Sequence, residues 1–338
     1  MAHQFRALLV GAGGMGRQWA KNLAAHPDVA ITGWVDLRPD AAAQAAQELE
    51  IAVGATGTDA AQALAELRPN FLVDVTIPEA HHDVTLMALA AGVPVIGEKP
   101  MAATMEQARA MVAASERANT LYMVSQSRRY NAQLQAMRSL IVEQIGALGI
   151  LNADFYIGAH FGGFRDQMDS PLILDMAIHT FDAARYLSGA DPVTVYCEEF
   201  NPPWSWYRGA ASAIAIFEMT GGLRYTYRGS WCAEGRLTSW ESEWRAVGSQ
   251  GSATWDGQGA PVAELVTKPG GFLSEVASHT APVADMPLGI AGSLRDFLHA
   301  LATGATPMGE CHDNIKSLAM VFAAIESAAT GRRVKIEA

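Results

Sequence analysis

Lys99, Asp175 and His179 are the residues whose types and spacing point to chemistry. Lys99 stands in Glu98-Lys99-Pro100, just after an apolar run, and Asp175 lies four positions before His179 in a stretch of helical character. Residues at i and i+4 share a helix face, so both side chains of the pair can point into one cleft. A neutral imidazole near pH 7 can take a proton, and a carboxylate either orients that imidazole or holds a substrate. An ammonium group hydrogen-bonds the reacting oxygen and stabilises developing alkoxide charge. A base, an acidic partner and a cation of this kind suit the oxidation of a secondary alcohol. That requires a nicotinamide ring to be brought to them. The apparent pKa values of such a set belong to the coupled groups and not to one residue.

A dinucleotide fingerprint lies upstream. Val10-Gly11-Ala12-Gly13-Gly14-Met15-Gly16 fits G-x-G-x-x-G between an apolar strand and a helix, and Asp36 follows Gly16 by 20 residues at the end of the next strand. Gly11 permits the tight turn, Gly13 lets the backbone approach a pyrophosphate, and Gly16 lets helix pack on strand. The N–H groups of Gly14 and Met15 then open the helix toward the phosphates. The Asp36 carboxylate accepts from ribose hydroxyls and repels a 2′-phosphate, so NAD is expected rather than NADP. Arg38 is the one nearby cation able to neutralise such a phosphate.

The elements that position these residues fall in two regimes. Through about residue 125, short apolar runs (Ala7–Val10, Ala30–Val35, Phe71–Thr76, Val93–Ile96, Leu121–Val124) alternate with alanine-rich helical stretches (Ala41–Leu49, Ala60–Leu67, Ala80–Ala91, Met105–Ala118). This predicts an α/β Rossmann domain with a doubly wound parallel sheet over 1–125. Asp59 and Thr104 stand at helix N-cap positions. From 126 to 338 an α+β domain is expected, for substrate binding and oligomerisation. It has helices at Asn131–Gln144 and Leu174–Leu187 and sequential strands from Val193 to Trp255 that form a large, mostly antiparallel open sheet. Gly221-Gly222 is read as a hairpin turn, Pro261–Pro287 as irregular, and Ser293–Ala302 and Asp313–Thr330 as helices.

Composition narrows the classes. The chain has 338 residues, half hydrophobic and 17% charged, with a formal charge of −11. That balance describes a globular chain and disfavours nucleic acid and anionic membranes as partners. Cys197, Cys232 and Cys311 lie far apart, so neither a metal site nor a disulfide framework is expected. The apolar start Phe5–Val10 is too short for a signal peptide, and no apolar run reaches about 20 residues. Cytoplasm is the expected location.

Several motifs together resemble the Gfo/Idh/MocA family of glucose–fructose oxidoreductase, inositol dehydrogenase and rhizopine-catabolism proteins. They are Thr76-Ile77-Pro78-Glu79-Ala80-His81, the run Ala90 to Pro100, Arg129-Tyr130, the stretch Leu174 to Asp182, and the closing Ala324 to Val334. The resemblance spans nearly the whole chain. It implies that Lys99 matches the lysine of the family's E-K-P motif and that Asp175 and His179 match its D-x-x-x-H pair. It further implies cofactor contacts from Thr76, Ile77, His81, Glu98 and Lys99, and substrate contacts from Lys99, Arg129, Asp175 and His179. Ile77 and Ala132 depart from frequent prolines of the family.

The segment His160 to Arg165 precedes the Asp–His stretch and is read as a substrate loop, in which His160 and Arg165 hydrogen-bond hydroxyls or a carboxylate. Trp231 is the aromatic read as a cleft residue; most other tryptophans are read as filling the sheet's packing face or an oligomer interface. The expected function is oxidation of a secondary hydroxyl of a sugar or cyclic polyol with NAD, or reduction of the matching ketone, with His179 as proton acceptor. A redox-initiated glycosidase or lyase and a non-catalytic dinucleotide-binding regulator are the alternatives. A one-sided sheet predicts a homodimer or homotetramer.

Overall fold

The computed structural model describes residues 4–338. The chain clusters into two compact units, residues 1–127 with 287–315 and residues 128–286 with 316–338. The sequence reading, with its single cut after residue 125, assigns 287–315 to the second domain; the contacts assign it to the first.

In the first unit, β1 (Phe5–Val10), α1 (Gly14–Ala25), β2 (Val29–Val35), α2 (Ala41–Glu48), β3 (Thr56–Gly57), α3 (Ala60–Leu67), β4 (Phe71–Asp74), α4 (Pro78–Ala90), β5 (Val95–Gly97), α5 (Met105–Ala118) and β6 (Tyr122–Val124) alternate. The strands form one parallel sheet in the order β3-β2-β1-β4-β5-β6. Its central strands are buried, which is why Ala7–Val10 of β1, Phe71–Val73 of β4 and Val95–Ile96 of β5 read as apolar runs. The order reverses between β1 and β4, so the crevice beyond their carboxyl ends is the ligand position of such sheets. Asp59 and Thr104 cap α3 and α5 as expected, accepting from the N–H groups of Gln62 and Gln107.

The second unit contains α6 (Ala132–Glu143), β7 (Leu148–Tyr156), a π-helical turn (Leu172–Ala177) that runs into α7 (Ile178–Ser188), then β8 (Pro192–Phe200), β9 (Ser212–Met219), β10 (Arg224–Ser230), β11 (Glu243–Gly248), β12 (Gly251–Trp255), β13 (Val262–Lys268) and β14 (Glu275–Thr280). Helix α8 (Gly289–Thr303) belongs to the first unit, α9 (Cys311–Thr330) crosses the cut, and β15 (Val334–Lys335) closes the second. The nine strands are ordered β14-β13-β12-β11-β7-β10-β9-β8-β15 and pair antiparallel except for β7 with β10.

Strict alternation gives this sheet a buried and an open face. Ala213, Ala215 and Phe217 of β9 are buried, as are Tyr225 and Tyr227 of β10, while Ile214, Ile216 and Arg228 face outward. Phe181 of α7 packs edge-on against Phe217 and Tyr227, with ring centres 4.8 and 5.3 Å away. The hairpin β13–β14 replaces the irregular excursion expected at Pro261–Pro287. Its residues are mostly exposed and lack an apolar rhythm, so its strand character rests on edge pairing. Among the described residues no helix is long and apolar enough to cross a membrane.

Candidate active site

The glycine turn is shaped by close approach. A Cβ on Gly11 would lie 2.5 Å from the Val75 carbonyl oxygen, at a φ of +105°, and one on Gly16 would run into the Gly11 carbonyl. Around Gly13 and Gly14 nothing lies within 4 Å of a Cβ position. No side chain caps α1 there, so the first N–H groups of the helix face open space. Trp34 Nε1 donates to the Gly11 carbonyl at 2.9 Å and fixes the turn from below. Met15 at the helix start is exposed.

Asp36 follows β2 beside this turn. Its carboxylate accepts from Ala12 N (2.7 Å), Arg38 N (2.9 Å), Arg38 Nε (2.8 Å) and Arg38 Nη2 (3.0 Å). The Arg38 guanidinium is the main cause that lowers its pKa to about 2, against the opposing effect of burial. Arg38 is therefore engaged with the carboxylate rather than presented alone to a phosphate. The glycine cradle, the uncapped helix end and an ionised Asp36 fit a dinucleotide without a 2′-phosphate.

At the carboxyl end of β4, Thr76 N and Oγ1 donate to Asp74 Oδ1 at 3.1 and 2.6 Å. His81 of α4 is buried, with Nδ1 3.1 Å from Asp74 Oδ2. Ile77, by contrast, is exposed at the start of α4. Glu98, beyond β5, is also interior: it accepts from Trp19 Nε1 at 2.7 Å and from Lys99 N at 3.2 Å, and burial raises its pKa. Lys99 follows it, half-buried, at the carboxyl end of β5.

In the second unit, Asp175 lies in the π-helical turn and His179 in the first turn of α7. The sequence reading has one α-helix from Leu174; the wider turn starts earlier, at Leu172, after Pro171. Such turns are frequent at functional sites, because they re-aim side chains within a helix. Arg165 Nε donates to Asp175 Oδ2 at 2.6 Å, a pairing that no local spacing in the sequence reveals. Arg128 closes another side of the turn, with Nη2 3.6 Å from Met176 Sδ and Nε 3.9 Å from the Glu241 carboxylate, and burial lowers its pKa.

Arg129, His160 and Trp231, three expected substrate contacts, have the following surroundings in the second unit. Arg129 is buried and binds Asp182 through both Nε (2.8 Å) and Nη2 (2.6 Å), while Ser317 Oγ donates to the same carboxylate at 2.7 Å. That network ties the residues before α6 to α7 and turns the guanidinium inward. His160 stacks on Trp206 at 3.7 Å between ring centres and meets Glu234 at 3.0 Å. Trp231 is buried beneath Phe161 and Tyr207, with ring centres 5.1 and 6.0 Å away, and its indole N–H has no acceptor among the described residues.

A parallel sheet whose switch point carries a glycine cradle and a carboxylate at the end of the second strand has the form of a dinucleotide-binding domain. The chain belongs to the Gfo/Idh/MocA family: residues 5–126 match the model of its oxidoreductase domain with an NAD-binding Rossmann fold, and residues 134–254 match that of its C-terminal domain. It is an enzyme of the oxidoreductase class, and its cofactor is NAD. The chain is 28% identical to protein y4oX of Sinorhizobium fredii, covering 98% of this chain and 96% of that one. It is 28% identical to D-apiose dehydrogenase of Rhizobium rhizogenes, over 83% of each chain. Inositol 2-dehydrogenase of Rhizobium meliloti is 25% identical, over 97% of this chain and 98% of that one. An oxidoreductase from Agrobacterium radiobacter, solved with NAD+, L-tartaric acid and magnesium, shares the fold with a TM-score of 0.87, at 23% identity and 98% coverage of both chains.

Proposed function

We propose that this protein oxidises a secondary hydroxyl of a sugar or cyclic polyol, or reduces the matching ketone. The observation that carries the reading is the Asp175–His179 pair, set by a π-helical turn in a chain whose near-full-length relatives include an apiose and an inositol dehydrogenase. NAD, when bound, supplies the hydride acceptor. Gly13, Gly14 and Met15 offer backbone N–H groups to its phosphates, and Asp36 accepts from its ribose. Thr76 and Ile77 flank the same crevice beyond β4.

His179 takes the hydroxyl proton. Lys99 donates to the reacting oxygen and stabilises its developing charge. Asp175, held by Arg165, accepts from the substrate or from His179. Two copies of the chain pair through the open face of the nine-stranded sheet. The test is a panel of polyols and aldoses scored by NADH absorbance. No turnover across inositols, pentoses and hexoses, with NAD bound, would sink this reading.

A further inference from the structure

Arg165 is held along one edge only. Its Nε donates to Asp175 Oδ2 at 2.6 Å, and Arg165 makes no other side-chain hydrogen bond among the described residues. Its guanidinium carbon lies 5.1 Å from the ring centre of Phe161 and 4.7 Å from that of Phe164, distances at which a cation is held by aromatic rings. The side chain is 33% exposed, and its terminal amino groups make no side-chain hydrogen bond among the described residues. The base of the loop is fixed: Arg208 N donates to Asp166 O at 2.9 Å and Ala210 N to Asp169 O at 2.8 Å. Its tip, with Phe161 and Phe164 exposed, stands open beside Asp175.

We propose that Arg165 reads the substrate. Its Nη1 and Nη2 donate to a hydroxyl oxygen adjacent to the one that is oxidised, so that the site takes an uncharged polyhydroxylated substrate in preference to its carboxylate counterpart. The inference rests on Asp175 belonging to the substrate site. The charge balance sets the class. Asp175 already offsets the guanidinium charge and Lys99 is taken up by the reacting oxygen, so a second carboxylate on the open edge would meet repulsion from Asp175 along with attraction from Arg165. A hydroxyl oxygen incurs no such repulsion. Two donors fixed in one plane by Asp175 and the two rings suit it with little loss of rotamer freedom. The apolar C–H faces of a sugar or polyol ring match the exposed phenyl edges.

Calorimetric titration of the NADH-loaded protein tests this with myo-inositol, D-glucose and D-galactose, and with D-glucuronate and D-galacturonate as acid counterparts. The neutral sugars should bind at least about 10-fold more tightly than their acids. Arg165→Met should weaken the best neutral ligand by about 10- to 100-fold, as expected for loss of hydrogen bonds from a charged donor. Arg165→Lys should recover only part, because an ammonium on a flexible stem cannot hold Asp175 and a second acceptor in one plane. A deoxy analogue lacking the adjacent hydroxyl should bind the parent protein and Arg165→Met alike. Tighter binding of the acids, unchanged binding by Arg165→Met, additive losses in the deoxy cycle, or no binding from the panel overturns the proposal. NADH formation is scored separately. Arg165-dependent binding without turnover removes the dehydrogenase reading and keeps this one; turnover indifferent to Arg165 does the reverse.

Discussion

Trp19 Nε1 donates to Glu98 Oε1 at 2.7 Å, a buried bond that ties helix α1, which follows the glycine turn, to the turn carrying Lys99. Glu98 completes the link by accepting from the main-chain N–H of Lys99. Replacing the indole leaves a buried carboxylate oxygen without its donor. Trp19→Phe should therefore lose about 1–3 kcal/mol of stability to urea, the desolvation penalty of an unsatisfied group. It should also lower turnover through a displaced Lys99. Unchanged stability and turnover would show that the bond does not hold the turn.

Asp36 links cofactor choice to pH. Its folded pKa, about 2, lies below the ordinary value of 3.8. Its stabilisation is therefore fully present above about pH 4 and is lost as pH falls through about 2. Because Arg38 is largely exposed, solvent screening holds this contribution to about 1 kcal/mol. Asp36→Ser should be less stable than the parent at pH 6, with the gap closing near pH 2. The same change releases Arg38, so the ratio of NADP to NAD affinity should rise. A parent protein that binds NADP more tightly than NAD would refute this role of the carboxylate.

The Arg129–Asp182 pair should be structural. Both side chains are almost fully buried and bond in two places. Removing one partner strands a buried charge, so Arg129→Met should cost about 3–5 kcal/mol. Adding Asp182→Leu should recover part of that loss. A stable Arg129→Met whose substrate affinity alone collapses would return Arg129 to the substrate.

The sequence was most legible where one residue type has one physical use. The Gly11 and Gly16 contacts follow from lack of a Cβ, and the Asp59 and Thr104 caps from a short acceptor before a helix. It was least legible where a motif residue could point either way. The polar groups of His81, Glu98 and Arg129 meet Asp74, Trp19 and Asp182, partners that no spacing in the sequence announces. A motif gives the residue type, and only the packed elements decide which way it faces. The π-helical turn was invisible because Asp175 and His179 share a face in either geometry. Arg165 reaches Asp175 across a loop whose path no periodicity sets. The β13–β14 hairpin carries too little buried apolar surface to betray itself.

Assembly is a separate expectation. The open sheet face exposes Ile150 on β7 and Ile214 and Ile216 on β9, the two strands that flank β10, with Phe200 on β8 and Val262, Val266 and Val276 toward its edge. Arg228 and Asp154 pair across β10 and β7 on that face at 2.6 Å. Apolar residues grouped with satisfied charges suit a twofold contact between copies. Light scattering at micromolar protein should give a dimer or tetramer, and Ile216→Asp should lower the mass. A monomer in the parent protein removes the expectation.

The chemistry itself is the most exposed prediction. If His179 is the base, oxidation requires its neutral form, so kcat/KM should rise with pH through an apparent pKa and then level. His179→Ala should lose about 10²–10⁴-fold in turnover, the usual contribution of a general base, and abolish that rising limb. NAD affinity, set by the glycine turn and Asp36, should change little. Lys99→Ala should also lower kcat, because the reacting oxygen loses its cation, with NAD affinity again the control. Asp175→Asn keeps an acceptor for Arg165 but removes the charge, so its effect should be smaller in kcat than that of His179→Ala. A His179→Ala protein that retains turnover and its pH profile would place the base elsewhere and defeat the proposed mechanism.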